Sequence, residues 1–160
     1  MRATRKSKAA QPRGSAFAAA LRALALRRLT EAQLWARLEA KGFDEGATRE
    51  AVERCKAHGY VDDRLFAQLF VDGRPKAVGN ARLIAELVKR GIERESAAAS
   101  VARAAHDEDA RLVAAVDKLF RTRPSIGYPN AARALERLGF PASSIYRHLR
   151  SRATLEFAET

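Results

Sequence analysis

One cysteine, Cys55, stands in the whole chain, so no disulfide can close within it and a stapled, oxidised scaffold is excluded. Aromatics are sparse at 7% of the 160 residues, with a single tryptophan, and no stretch approaches the roughly 18–20 consecutive apolar residues of a membrane span. The first thirty residues hold no acid at all. The basic stretch Met1–Ala10 is followed by no apolar run, which argues against a secretory signal and for a cytoplasmic chain. A glycine-rich phosphate loop, a nucleophile elbow and a paired-cysteine motif are all missing, so the sequence offers no enzyme centre and calls for no cofactor.

What is there is apolar and basic. Hydrophobic residues make up 47%, much of it alanine, a composition suited to helix-on-helix contacts. The net charge is +11, which speaks to partners and not to fold. It is unevenly spread: +8 over residues 1–30, −2 over residues 31–117 and +5 over residues 118–160. Residues 1–15 carry Pro, Gly and Ser with no apolar periodicity and read as a disordered basic tail.

The strongest pattern is a phrase that recurs three times: Leu38-Glu-Ala-Lys-Gly42-Phe43, Leu87-Val-Lys-Arg-Gly91-Ile92 and Leu135-Glu-Arg-Leu-Gly139-Phe140. Each reads as a helix end, with glycine taking the left-handed position where a Cβ would be strained. The apolar residue that follows should pack on the leucine four before the glycine, the contact of a Schellman cap. Leu34 and Leu38 align with Leu83 and Leu87 and with Ala131 and Leu135, an i, i+4 stripe on each capped helix.

Apolar segments precede each capped helix, at Phe17-Leu21-Leu24, Leu65-Phe66-Leu69-Phe70 and Leu112-Val116-Leu119-Phe120. A further helix follows each glycine, centred on Ala51-Val52, Ser100-Val101 and His148-Leu149. Thr30 and Asp62 sit where helices should start. Pro75 falls near a helix end, and Pro124 and Pro129 bracket the loop before the eighth helix. No segment alternates with the period of a strand. The expectation is an all-α fold of three tandem three-helix repeats in an elongated, curved array, over residues 16–60, 61–106 and 107–160.

The run Gly59-Tyr60-Val61-Asp62-Asp63-Arg64-Leu65-Phe66-Ala67 resembles the glycine–aromatic–x–Asp–Asp–x–x–Phe–Ala signature of the RecX regulatory family. Gly79, Arg82-Leu83-Ile84, Glu86-Leu87, Lys89 and Gly91-Ile92 are similar to that family's second-repeat phrase, and Thr30 through Phe43 to its first. The resemblance covers roughly residues 16–150. It implies a non-catalytic modulator of RecA recombinase in DNA repair and homologous recombination. Such proteins lie in the groove of the RecA–DNA filament and limit its extension, strand exchange and co-protease activity. Some members of that family promote repair.

Several residues admit two readings. Asp62-Asp63 could be metal ligands, but sequence neighbours on a helix diverge by about 100°, and capping with dipole compensation explains them better. His58, His106 and His148 have no Cys or Asp partner at ligand spacing. Cys55 lies four before Gly59, where a packed thiol is expected rather than a nucleophile, and Trp35 beside the Leu34/Leu38 stripe reads as half-buried packing rather than a base-stacking platform.

The arginines are the contested set. Arg74, Lys76, Arg82, Lys89 and Arg90 cluster around the second repeat; Arg121, Arg123, Arg133, Arg137, Arg147, Arg150 and Arg152 crowd the third, with only Glu136 among them. Arginine's planar fork suits phosphate and carboxylate. Arg74, Lys76, Arg82, Lys89, Arg90, Arg121, Arg123, Arg133 and Arg137 are therefore the expected contacts to an anionic partner. The expected partners are the RecA filament and single- or double-stranded DNA through its phosphates, met by a monomer away from any membrane. The alternative is a stand-alone helical DNA-binding protein, yet no helix shows the exposed Asn, Gln and Arg set of a base reader.

Overall fold

A computed structural model describes residues 14–73, 77–104 and 107–158, with side chains as far as Thr154. Among the described residues there are nine helices and no strand. They are α1 Ala16–Leu26, α2 Glu31–Ala40, α3 Glu45–Ala57, α4 Asp63–Asp72, α5 Asn80–Lys89, α6 Arg94–Arg103, α7 Glu108–Thr122, α8 Tyr128–Arg137 and α9 Ala142–Ala158. None of them is long and apolar enough to cross a membrane.

Short polar side chains start most of these helices by accepting from the first free backbone N–H groups. Ser15 accepts from Ala18 N–H at 3.2 Å, so the last residue of the expected tail is the cap of α1. Thr30 accepts from Gln33 N–H at 3.1 Å while Gln33 Oε1 accepts from Thr30 N–H at 3.3 Å, a reciprocal capping box. Asp44 caps α3 and Asp62 caps α4, each through a 2.9 Å bond. Pro129 does not flank the loop before α8 as the sequence suggested. It stands inside the first turn of that helix, where its missing N–H has no partner to lose.

The three recurrent phrases end α2, α5 and α8 in one geometry. Gly42, Gly91 and Gly139 have φ of 88°, 88° and 87°. Phe43, Ile92 and Phe140 N–H groups donate back to Leu38, Leu87 and Leu135 carbonyls at 3.3, 3.1 and 3.4 Å. A fourth cap of the same kind closes α3 at Gly59, with Tyr60 N–H donating to Cys55. Leu38, Leu87 and Leu135 are completely buried beneath these caps. Burial of a leucine side chain contributes about 1.5–3 kcal/mol.

The chain divides into two compact units, Met1–Phe66 and Ala67–Thr160. In the first, α1, α2 and α3 pack together. The face of α1 that meets the others is Ala16, Ala19, Ala20 and Ala23, and small side chains there let α3 approach closely; Leu29, Leu34, Leu38, Val52 and Cys55 fill the rest. Cys55 is fully buried, as expected of a packed thiol, and burial raises its pKa. Trp35 is half-buried against the same core.

In the second unit α5 packs on α6, while α7, α8 and α9 enclose Leu112, Val116, Phe120, Leu135, Phe140, Ile145 and Leu149. The start of α5 is joined to the end of α8 backbone to backbone. Gly79 N–H donates to Leu138 carbonyl at 2.8 Å, and Arg82 Nη1 donates to Arg137 carbonyl at 3.1 Å. Buried Arg111 of α7 completes the joint, donating to Val78 carbonyl and Asn80 Oδ1, each at 2.5 Å, while Glu108 Oε1 accepts from Asn80 N–H. Nothing in the sequence marked Arg111 as an internal brace. Its signal is only that it falls on the apolar stripe of α7, beside Leu112 and Ala115.

Candidate functional site

The acidic pair serves two helices rather than one. Asp62 Oδ1 accepts from Leu65 N–H, whereas Asp63 Oδ1 reaches back 32 residues to accept from Glu31 N–H at 2.8 Å and caps α2. Burial raises the Asp63 pKa, against the lowering effect of that backbone bond. Lys56 Nζ bridges Glu31 and Glu53 at 3.1 Å each, and its hydrogen bond to Glu31 is the main cause of its raised pKa. These contacts hold the first unit together.

The histidines divide. His58 forms the C-cap of α3, stacked on Tyr60 with ring centroids 5.5 Å apart. His148, for which the sequence offered no acidic partner, meets Asp109 Oδ1 at 3.0 Å because α9 packs on α7. Hydrogen bonding from His148, with Arg147 adding to it at 3.0 Å, holds the Asp109 carboxyl below the usual range. His106 lies outside the described residues, as do Arg74, Pro75 and Lys76.

The remaining predicted cations fall into two kinds. Some are engaged inside the fold. Arg82, in the first turn of α5, pairs with Glu86 at 3.3 Å and donates to the Arg137 carbonyl. Arg90, the C-cap of α5, donates to the Glu86 carbonyl at 2.7 Å and lies 4.5 Å over the Phe70 ring. Arg152 stands 3.7 Å from Asp117 and 4.6 Å over Phe120. Others are open. Lys89, Arg121, Arg123, Arg133 and Arg137 are exposed, and among the described residues none of them has a carboxylate within ion-pair distance.

Three of the open arginines share one concavity. α7 ends at Thr122 with Arg123 as its C-cap, and Ile126 N–H donating to Arg123 carbonyl at 3.1 Å folds the short connection back. Arg133 and Arg137, one helical turn apart on α8, line the opposite wall. The concavity is about 700 Å³, is open to solvent, and includes Ser125 and Asn130 in its lining but no acid. Uncompensated guanidinium groups in a concave wall raise the local positive potential and favour anions. Arg121, exposed in the last turn of α7, is outside that lining.

Residues 16–55 match the family model described as RecX, first three-helix domain. The chain is 36% identical to the regulatory protein RecX of Thermus thermophilus over 126 residues, which cover 79% of this chain and 84% of that one. It is 42% identical to the RecX of Caldanaerobacter subterraneus over 77 residues, 48% of this chain but only 39% of that longer relative. The crystal structure of RecX from Lactobacillus salivarius superposes with a TM-score of 0.73 at 18% identity, covering 85% of this chain and 93% of that one, a likeness of fold.

Proposed function

The chain belongs to the RecX family of regulatory proteins, and from that premise we propose that it acts without catalysis on the RecA recombinase filament assembled on DNA. It restrains ATP hydrolysis, strand exchange and co-protease activity there, as a monomer in the cytoplasm. The three-helix groups 16–60, 61–106 and 107–160 are the units with which it meets successive parts of the filament. The observation that carries this reading beyond family membership is the division of its cations. Arg123, Arg133 and Arg137 stand open in an acid-free concavity, while Arg82 and Arg90 are partly engaged within the fold.

A protein that only coated DNA would gain nothing from the sixteen acids of residues 31–117. A protein bridging a nucleoprotein surface uses them against basic partner loops while its arginines hold phosphate. Lys89 and Arg121 are further candidate contacts, as are Arg82 and Arg90 through the donors their internal bonds leave over; Arg74 and Lys76, outside the described residues, are candidates by sequence alone. The test titrates the protein against RecA-coated and bare single-stranded DNA at several salt concentrations and follows RecA ATP hydrolysis and strand exchange. Tighter binding to coated DNA with falling ATP hydrolysis is the expected result. Equal binding to both, with both activities untouched, replaces this reading with a stand-alone DNA-binding protein.

A further inference from the structure

We propose that the cavity between the end of α7 and the face of α8 is a discrete phosphate-binding site, with Arg123, Arg133 and Arg137 as its cations. It deepens the filament reading and rests on it only for the identity of the nucleic acid that supplies the phosphate. The chemistry of the lining selects the ligand. Three guanidinium groups face one space with no carboxylate among the lining residues, so each retains donors that a phosphate oxygen can accept from. Three cations lining one concavity with no acid among them raise its positive potential, which an entering anion neutralises. Asn130 adds to the site: its Oδ1 accepts from Arg133 Nη1 at 3.5 Å, leaving its amide N–H donors for a ligand, and Ser125 contributes a hydroxyl.

The size and walls say more. About 700 Å³ lies within the range of small-molecule sites, roughly 300–1,000 Å³. That space exceeds one phosphate and accommodates a phosphate with its sugar. Pro124 and Ile126 give the site an apolar side against which a sugar or base can rest. The shape is also braced from behind. Tyr128, at the start of α8, packs on Phe120 of α7 with ring centroids 5.8 Å apart, and the Gly139 cap anchors the other end of α8 on α5. The backbone that carries Arg133 and Arg137 is thus held by contacts within the fold, which limits the ordering cost of binding to the side chains.

A phosphate of this kind reaches the cavity either in a nucleic-acid backbone or as a free polyphosphate. The experiment separates the two. Full-length protein, wild type and the variant R123A/R133A/R137A, is titrated with a fluorescent oligothymidylate across a salt series, and each is also titrated with inorganic tripolyphosphate by calorimetry. R64A/R94A, two exposed arginines away from the cavity, serves as the surface-charge control. R133K/R137K keeps the charge and removes the fork.

With the backbone in the cavity, the triple variant weakens oligonucleotide binding by on the order of tenfold. The slope of log K against log salt then falls by about 0.7 for each phosphate that the variant no longer neutralises. The control keeps the cavity arginines and their share of the slope, and the double lysine variant keeps the slope but binds more weakly. Tripolyphosphate binding that disappears in the triple variant, with an unchanged oligonucleotide slope, keeps the phosphate site but overturns its assignment to a nucleic-acid backbone. A triple variant that matches the control in both titrations overturns the site altogether, even if the wild-type protein restrains RecA. Conversely, loss of phosphate binding in the variant while wild type leaves RecA ATP hydrolysis untouched upholds the cavity and sinks the filament reading.

Discussion

Replacing Gly79 with alanine tests the joint between α5 and α8. Gly79 has φ −79° and ψ 164°, extended backbone that alanine adopts without strain. The obstacle is space. A Cβ there would lie 2.1 Å from the Gly139 carbonyl oxygen, 2.3 Å from its carbon and 2.5 Å from the Phe140 nitrogen. All three are backbone atoms pinned by the α8 cap, and comfortable contact needs about 3.5 Å, so the two elements must part by about 1 Å.

That movement weakens the Gly79–Leu138 hydrogen bond, about 1 kcal/mol, and the overpacking adds about 1–3 kcal/mol. Two smaller effects act as well: alanine lowers the entropy of the unfolded chain, and it is a poorer N-cap than glycine. Gly127→Ala shares both of those, because Gly127 is the N-cap of α8 at φ −66° and ψ 146°, yet its Cβ would meet only Pro129 Cδ at 3.9 Å. The difference between the two variants therefore isolates the clash, at about 2–4 kcal/mol. Urea unfolding followed by far-ultraviolet circular dichroism measures it. Equal midpoints for the two variants would refute the close approach of Gly79 to Gly139.

Leu87→Ala removes a completely buried side chain beneath the α5 cap and should cost about 2–5 kcal/mol by thermal or urea unfolding. Gly91→Ala at φ 88° strains the left-handed position by about 1–2 kcal/mol, and an unchanged melting temperature would contradict the cap. Thr30→Ala breaks the capping box of α2 and should lower stability by about 0.5–2 kcal/mol, with Thr30→Ser recovering most of the loss. Asp109→Asn addresses pH. The Asp109 carboxyl titrates lower in the folded protein than in the unfolded chain, so its contribution is present above a pH of about 3.9 and is lost as pH falls through the folded value. The stability gap between wild type and Asp109→Asn should therefore close in acid, and a gap independent of pH would sink the His148–Asp109 contact.

The helices and their ends were written locally. Thr30, Asp62, Gly42, Gly91 and Gly139 act through bonds spanning three to five residues, so spacing alone identifies their roles, whatever the rest of the chain does. Apolar periodicity likewise placed Leu38, Leu87 and Leu135 in the core, because a helix turns by a constant angle per residue. Family resemblance was legible in the stretch from Gly59 to Ala67 for a similar reason: it joins a cap, two acids and the opening of α4 in one run.

What tertiary structure decided is which side chains meet across long separations. Asp63 looks like a second cap of its own helix, yet it serves α2 from 32 residues away. His148 finds Asp109 across 39 residues, and Arg111 braces Val78 and Asn80 from within a buried stripe. The arginines were equivalent in the sequence, a count of cations with few acids nearby. Packing separated them, engaging Arg82 and Arg90 with Glu86 while the folded-back connection after α7 set Arg123 opposite Arg133 and Arg137. Charge is a property of the residue, but whether a guanidinium is satisfied or open depends on the distance to its nearest acceptor, which only the packed chain sets.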